Sequence, residues 1–267
     1  MSKLRSSSII SSGLSKLCRA TPKQRKEISC GAASIAQSGY WSSLTTKGAD
    51  QMNESTQLSD LFLQGQEEEA LKYVQDFLES HSHEQLYGEL LTPAMYRIGE
   101  LWEQNEISVA EEHLATAVCD FVLSATELRN KDKEGRKKAM IFGPEGEEHY
   151  IGLKMAAALF REEGYEVRYM GPNLPLDSAL GLAEDWQPDV VALSGALAHR
   201  LPVLKTYAEA FAQVGSKPAV LIGGRAVTLP SFTGLHIKGA VIVRGLGALR
   251  EWIRTGKGPN DDTLSIG

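Results

Sequence analysis

Cysteine is scarce in this chain of 267 residues. Cys18, Cys30 and Cys119 are odd in number and scattered. They form no metal-ligand spacing and point to a reducing compartment, consistent with a cytoplasmic protein. Long apolar runs are missing as well. Nothing approaches the roughly 18 consecutive apolar residues of a membrane helix, so no membrane role is expected. The longest early apolar run, Ile9-Ile10, is too short for a secretory signal core. No nucleophile with a paired base and no phosphate-cradling glycine loop is present. The chain is therefore not expected to be an enzyme in its own right, and any chemistry would come from a bound cofactor. A formal net charge of -6 gives no overall case for nucleic-acid binding.

Acids are nearly absent from the first 50 residues. Eight Lys/Arg face only Glu27 and Asp50 there, a net of +6, which leaves -12 for the remainder. This stretch is rich in Ser, Gly and Ala and has no sustained period. Residues 1–53 read as a basic, weakly ordered tail. A transit peptide and a basic arm that touches DNA or an acidic partner are the other two readings of the same composition. Met52 stands where order is expected to begin, so a shorter product could start there.

What is present after the tail is helical. Leu58, Leu61 and Phe62, then Ala70, Leu71, Val74, Phe77 and Leu78, mark two amphipathic segments divided near Gly65. Leu86, Leu90, Leu91, Met95, Ile98 and Trp102 continue the period in a third, which Pro93 should bend or restart. Ser108 followed by Glu111 is a capping box. It opens a fourth helix carrying Val109, Glu112, His113, Ala117, Phe121 and Leu123. Residues 54–132 thus read as an antiparallel four-helix bundle, bounded by the charged hinge Lys131–Lys138.

From 137 to 256 strands alternate with helices. Strands are predicted at 138–142, 166–170, 190–193, 219–222 and 240–243. Helices are predicted near 149–163, 176–186, 200–214, 228–235 and 246–255. Such units imply a five-stranded parallel sheet of the flavodoxin-like, Rossmann-like α/β class, with ligands at the carboxyl ends of the strands. Residues 257–267 form a C-terminal tail.

Three loops fall at that edge. The first holds Glu147, His149 and Gly152. A neutral imidazole suits a borderline transition metal, a neighbouring carboxylate can fix its tautomer, and Gly152 leaves room beside the backbone. The second is Ser194-Gly195-Ala196 and the third Gly223-Gly224. Each alone is weak evidence. A further group lies in the helical part: Trp102, nine residues, then Glu112-His113. An indole, a carboxylate and an imidazole at one end of a bundle could cap a flat ligand. The plain alternative is a core Trp102 with a solvated first turn after it.

Taken together the loops read Glu147-x-His149-x-x-Gly152, 41 residues, Ser194-x-Ala196, 26 residues, Gly223-Gly224. This resembles the D-x-H-x-x-G, S-x-L, G-G signature of cobalamin-binding domains of the methionine synthase and mutase class. The resemblance implies that His149 replaces the dimethylbenzimidazole base as lower axial cobalt ligand, and that Glu147 orients it. Ser194, Gly223 and Gly224 would line the pocket for the nucleotide tail. Glu147 departs from the usual Asp, and Ala196 from the usual Leu.

The preceding helices resemble the bundle that caps the upper face of cobalamin. Trp102, nine residues, Glu112-His113 resembles the motif of light-sensing regulators of the CarH/LitR type. There the Trp packs beside the upper axial group and the histidine can become an upper ligand once that group leaves. Those regulators carry a DNA-binding helix-turn-helix ahead of the bundle, for which the first 50 residues are too irregular. The chain is more similar to the shorter AerR/PpaA type. These are cobalamin-binding antirepressors of photosynthesis genes that act by binding a repressor of the CrtJ/PpsR type. The resemblance covers about residues 55–255 and leaves the adenosyl-, methyl- or hydroxo- form undetermined. A corrinoid carrier of a methyltransferase system is the alternative, though that class keeps the Asp and lacks the Trp/Glu-His motif. A degenerate fold that has lost cobalamin, or that binds haem, is the third reading.

Overall fold

The computed structural model describes residues 46–128, 136–232 and 234–257, with side chains from Glu54 onward and that of Ser231 excepted. The basic stretch before residue 46 and most of the hinge at 131–138 lie outside the described residues. Helix α1 spans Thr46–Leu63 and so begins inside the stretch assigned from sequence to the tail. It ends at Gly65, whose φ of +68° suits a residue without Cβ. Helix α2, Glu67–Leu78, opens on Glu67, Glu68 and Glu69, acids that complement the positive end of the helix dipole.

The third helical stretch is composite. A capping box of Ser82 and Gln85 starts a single turn at His83–Gln85. A π-helix follows at Leu86–Leu91, and α3 runs over Thr92–Glu103 with Pro93 in its first turn. The sequence predicts a disturbance at Pro93, and the π-turn is its form. The proline has no N–H to give, and the widened turn before it is closed by Thr92, whose hydroxyl donates to the Tyr87 carbonyl at 2.6 Å. Helix α4, Val109–Thr126, carries the expected Ser108–Glu111 capping box.

Five strands follow: β1 Lys138–Pro144, β2 Glu166–Leu174, β3 Val190–Ser194, β4 Ala219–Gly223 and β5 Ala240–Ile242. All neighbours pair in parallel, in the order β2-β1-β3-β4-β5. This is the expected doubly wound sheet, and its strand order reverses between β1 and β3. Alternate residues of β1 divide between two cores. Ala139 and Ile141 join the core beneath α5 (Ile151–Glu162) and α8 (Leu246–Thr255), while Met140 and Phe142 join the one beneath α6 (Leu176–Trp186) and α7 (Leu201–Phe211). Buried residues of α1–α4 belong to the first of these cores, so the helical region packs on the α5/α8 side.

The helix expected at 228–235 is a correction. Two short 3-10 turns, Arg225–Thr228 and Pro230–Phe232, stand there. Pro230 cannot donate to a helical bond, and Gly234 takes a φ of +83°. No helix among the described residues is long and apolar enough to cross a membrane.

Candidate functional site

The loop after β1 and the loop after β3 meet where the strand order reverses, the place where open α/β sheets form a ligand crevice. Glu147 joins them. Its carboxylate is 1% exposed and accepts from His149 Nδ1 at 2.6 Å and from the His149 amide at 2.9 Å on one oxygen. The other oxygen accepts from the Ala196 amide at 2.8 Å. One carboxylate thus bridges the first loop and the second. Burial works against the charge of Glu147. The bonds from His149 and from the Ala196 amide outweigh it, and the carboxyl titrates below its ordinary value.

His149 is thus held by Nδ1 while its side chain stays 61% exposed. Nε2 is the free ring nitrogen, the arrangement that orients a metal-ligating imidazole. The hydrogen bond to Glu147 raises the His149 pKa. Burial opposes that, the charges of Glu147 and Glu112 add to it, and Arg225 subtracts. The loop is braced from behind. The Gly146 amide donates to Asn173 Oδ1 at 2.7 Å, the Asn173 amide to the Glu147 carbonyl at 3.0 Å, and the Glu145 amide to Tyr207 Oη at 3.1 Å.

Ser194 and Gly223 are register partners at the end of β3 and β4. Gly224 has a φ of +93°, and a Cβ there would fall 2.4 Å from the Gly195 carbonyl oxygen and 2.6 Å from Ser194 Oγ. The sequence reading leaves room at this pair for a ligand. For Gly224 the close neighbour is the chain itself, and the glycine lets the third loop press against the second. A Cβ on Gly152 would meet nothing within 4 Å, so that glycine does leave open space.

The helical residues approach the same edge through α4. Glu112 acts on the charge of His149, accepts from Thr116 at 3.0 Å and holds His113 by Nδ1 at 2.7 Å. His113 is 75% exposed. It repeats the His149 arrangement, an imidazole fixed at Nδ1 with Nε2 free. Val109, His113, Ala117 and Phe121 form one i, i+4 stripe that is exposed throughout. The buried face of α4 is Ala115, Val118, Cys119, Val122 and Leu123. Trp102, in the last turn of α3, is 45% exposed and so is not a core residue. Asn105, at φ +60°, turns the chain toward α4.

Several residues at this edge escape sequence reading. Tyr96 lies under the guanidinium of Arg225 at 5.3 Å, which joins α3 to the turn after β4. Arg225 directly follows the Gly pair, yet a lone Arg carries no pattern. Tyr207 and Asn173 support the first loop from distant segments and leave no spacing to read.

The site tests well for a corrinoid. An imidazole with one nitrogen fixed and one free, open space at Gly152, and an exposed apolar stripe carrying a second such imidazole suit a flat macrocycle that takes axial nitrogen ligands. Sheet and site define a ligand-binding α/β protein with a histidine presented at its switch point. Residues 55–127 and 137–251 match two family models, each described as a B12 binding domain. The chain is a protein of this cobalamin-binding family, and cobalamin is its cofactor.

Relatives fall into several functional kinds. The chain is 30% identical over 149 residues to methionine synthase of Mycobacterium tuberculosis, covering 54% of this chain and 12% of that protein. It is 32% identical over 110 residues to the HTH-type transcriptional repressor CarH of Myxococcus xanthus, covering 40% of this chain and 36% of that protein. It thus spans well under two thirds of either. The fold is similar to that of the monomethylamine corrinoid protein of Methanosarcina barkeri, with a TM-score of 0.60 and 14% identity over 73% of this chain and 94% of that one.

Proposed function

We propose that this protein is a light-responsive, cobalamin-dependent regulator of transcription in the cytoplasm, an antirepressor of photosynthesis genes of the AerR/PpaA type. It acts by binding a repressor of the CrtJ/PpsR type. The observation that carries the reading is the Glu112–His113 pair, held in a His149-like arrangement and electrostatically close to His149. The likeness to CarH supports it. Bound cobalamin supplies a cobalt centre whose bond to an upper alkyl group is broken by light.

In this reading His149 is the lower ligand and Glu147 orients it. Helices α1–α4 serve as a four-helix cap in which Trp102 shields the upper face. Glu112 holds His113 ready to occupy that face once the upper group leaves. Gly152, Ser194, Gly223 and Gly224 line the path of the nucleotide tail. A shift of α4 against the sheet domain then alters the surface offered to the repressor, a ligand switch acting on a two-state element. The basic segment before residue 46 is a candidate for contact with DNA.

A carrier role in methyl transfer is the second reading. It is favoured by 24% identity over 143 residues to dimethylamine corrinoid protein 1 of Methanosarcina acetivorans, covering 52% of this chain and 67% of that protein. One experiment separates the two. The protein is loaded in the dark with adenosyl-, methyl- and hydroxocobalamin in turn, desalted, and its spectrum taken before and after illumination. A light-driven spectral change that His113→Ala alters supports the regulator. A methyl form stable to light that passes its methyl group to a thiol acceptor supports the carrier.

A further inference from the structure

Arg200 is the unexplained cation of this edge. It ends the 3-10 turn Ala198–Arg200 after β3 and leads into α7. Its guanidinium lies across the first loop. A Cβ on Gly146 would fall 2.5 Å from one terminal nitrogen of Arg200 and 3.2 Å from the other. Gly146, at φ +80°, is therefore the residue that makes room for this side chain. Arg200 Nε is buried and donates no hydrogen bond, and no described carboxylate pairs with the guanidinium. Arg161 and Arg250, by contrast, are ion-paired to Glu127 and Glu162. A part-buried guanidinium without an anion is costly, and a hydrogen-bonded anion offsets that cost.

Position narrows the choice of anion. Arg200 sits between the loop that carries His149 and the loop that carries Ser194. On the cobalamin reading, on which this inference rests, the cofactor's lower side and nucleotide tail come to these two loops. Within cobalamin the nucleotide tail is joined to the corrin through a phosphodiester, an anionic group, whereas the corrin periphery carries neutral amides. A guanidinium fork suits two phosphate oxygens. We propose that Arg200 binds the phosphodiester of the cobalamin tail. It thereby selects the complete cofactor over corrinoids without a nucleotide.

The test compares dissociation constants, measured by absorbance and calorimetry in the dark, for hydroxocobalamin and for cobinamide, which lacks the nucleotide and its phosphodiester. Arg200→Gln is expected to weaken cobalamin by roughly 10- to 100-fold, the loss of a charged hydrogen-bonded contact, and to leave cobinamide within about twofold. Arg200→Lys keeps the charge and should recover part of the difference. It should also move the ³¹P resonance of the bound tail, a readout that holds if the Gln variant does not fold. Equal losses for both corrinoids, or no change for either, together with an unmoved ³¹P signal in the Lys variant, overturns the assignment. A wild-type protein that retains no cobalamin overturns the cofactor reading along with it, and wild-type retention with unaltered variants overturns this inference alone.

Discussion

One carboxylate oxygen of Glu147 accepts both from His149 Nδ1, at 2.6 Å, and from the His149 amide, at 2.9 Å. Ring and backbone of the same residue are fixed by one buried atom. Glu147→Gln keeps the size of the side chain but removes the charge that strengthens both bonds. Cobalamin affinity should fall about 10- to 100-fold, the usual cost of losing such a support for a metal-bound histidine. His149→Ala should remove the histidine-ligated spectrum altogether. Spectral titration of both variants checks this, and unchanged spectra in His149→Ala would exclude the ligand role.

Gly224 is expected to tolerate nothing larger than hydrogen. An alanine there places a Cβ 2.4 Å from the Gly195 carbonyl oxygen on a backbone with φ +93°. Strain and clash together should cost about 3 kcal/mol and separate the loops that carry Ser194 and Gly223. Chemical denaturation should register the loss. Gly152→Ala, with open space around its Cβ, is the matching control and should leave stability nearly unchanged.

Arg250 ties α8 to α5 and to the helical region. It is 6% exposed, donates to Glu162 at 2.5 Å and lies 3.5 Å from Glu163. Glu84 Oε2 stands 2.9 Å from its Nε, out of line for a hydrogen bond, so that contact is ionic only. Arg250→Met should destabilise the protein by about 2 kcal/mol. This is below the loss for a fully buried pair, because the three acids keep some contact with water. An unfolding curve with an unchanged midpoint would refute it.

Cys119 gives the pH dependence. Burial pushes its thiol up to about 12, with the charge of Asp120 adding and Lys154 opposing. The sign follows from linkage. Below the unfolded thiol pKa, near 8.5, both states hold the proton and the group contributes no slope. Above it the unfolded chain ionises and the folded one does not, so stability falls as pH rises, by about 1.4 kcal/mol per unit, until pH reaches the folded value. Comparing the wild type with Cys119→Ala between pH 8 and 10 isolates this contribution. Iodoacetamide mapping should find Cys119 unlabelled in the native protein and labelled after denaturation.

The sheet was legible because β1, β3, β4 and β5 hold short apolar runs between turn residues, and the loops at its carboxyl edge follow directly. Pro93 announced a break, though not that the break would be a π-turn, since the added residue is accommodated by Thr92 and Tyr87 rather than by any breaker. Which face of α4 is buried was not legible, and Val109 and Phe121 prove exposed. Its apolar residues cover more than one face, so period alone does not say which face is inward. Pro230 could have warned against a helix at 228–235. His149, Glu147 and the Gly pair were visible as spacing. The Ala196 amide on Glu147 and Arg225 over Tyr96 were not, because both join segments far apart in sequence through single contacts.

Helix α5 begins two residues after His149 and meets α4 along its length. Lys154 pairs with Asp120, Arg161 pairs with Glu127, and Lys154 reaches Ser124 at 2.5 Å. The imidazole and the helical region therefore hang on one stiff rod. A pull on the histidine ring reaches α4 as a movement of the whole rod, gripped at two points about two turns apart, and is not dissipated in a slack connection. The chain has in effect built an axle, with the imidazole at its hub and the helical region on its shaft.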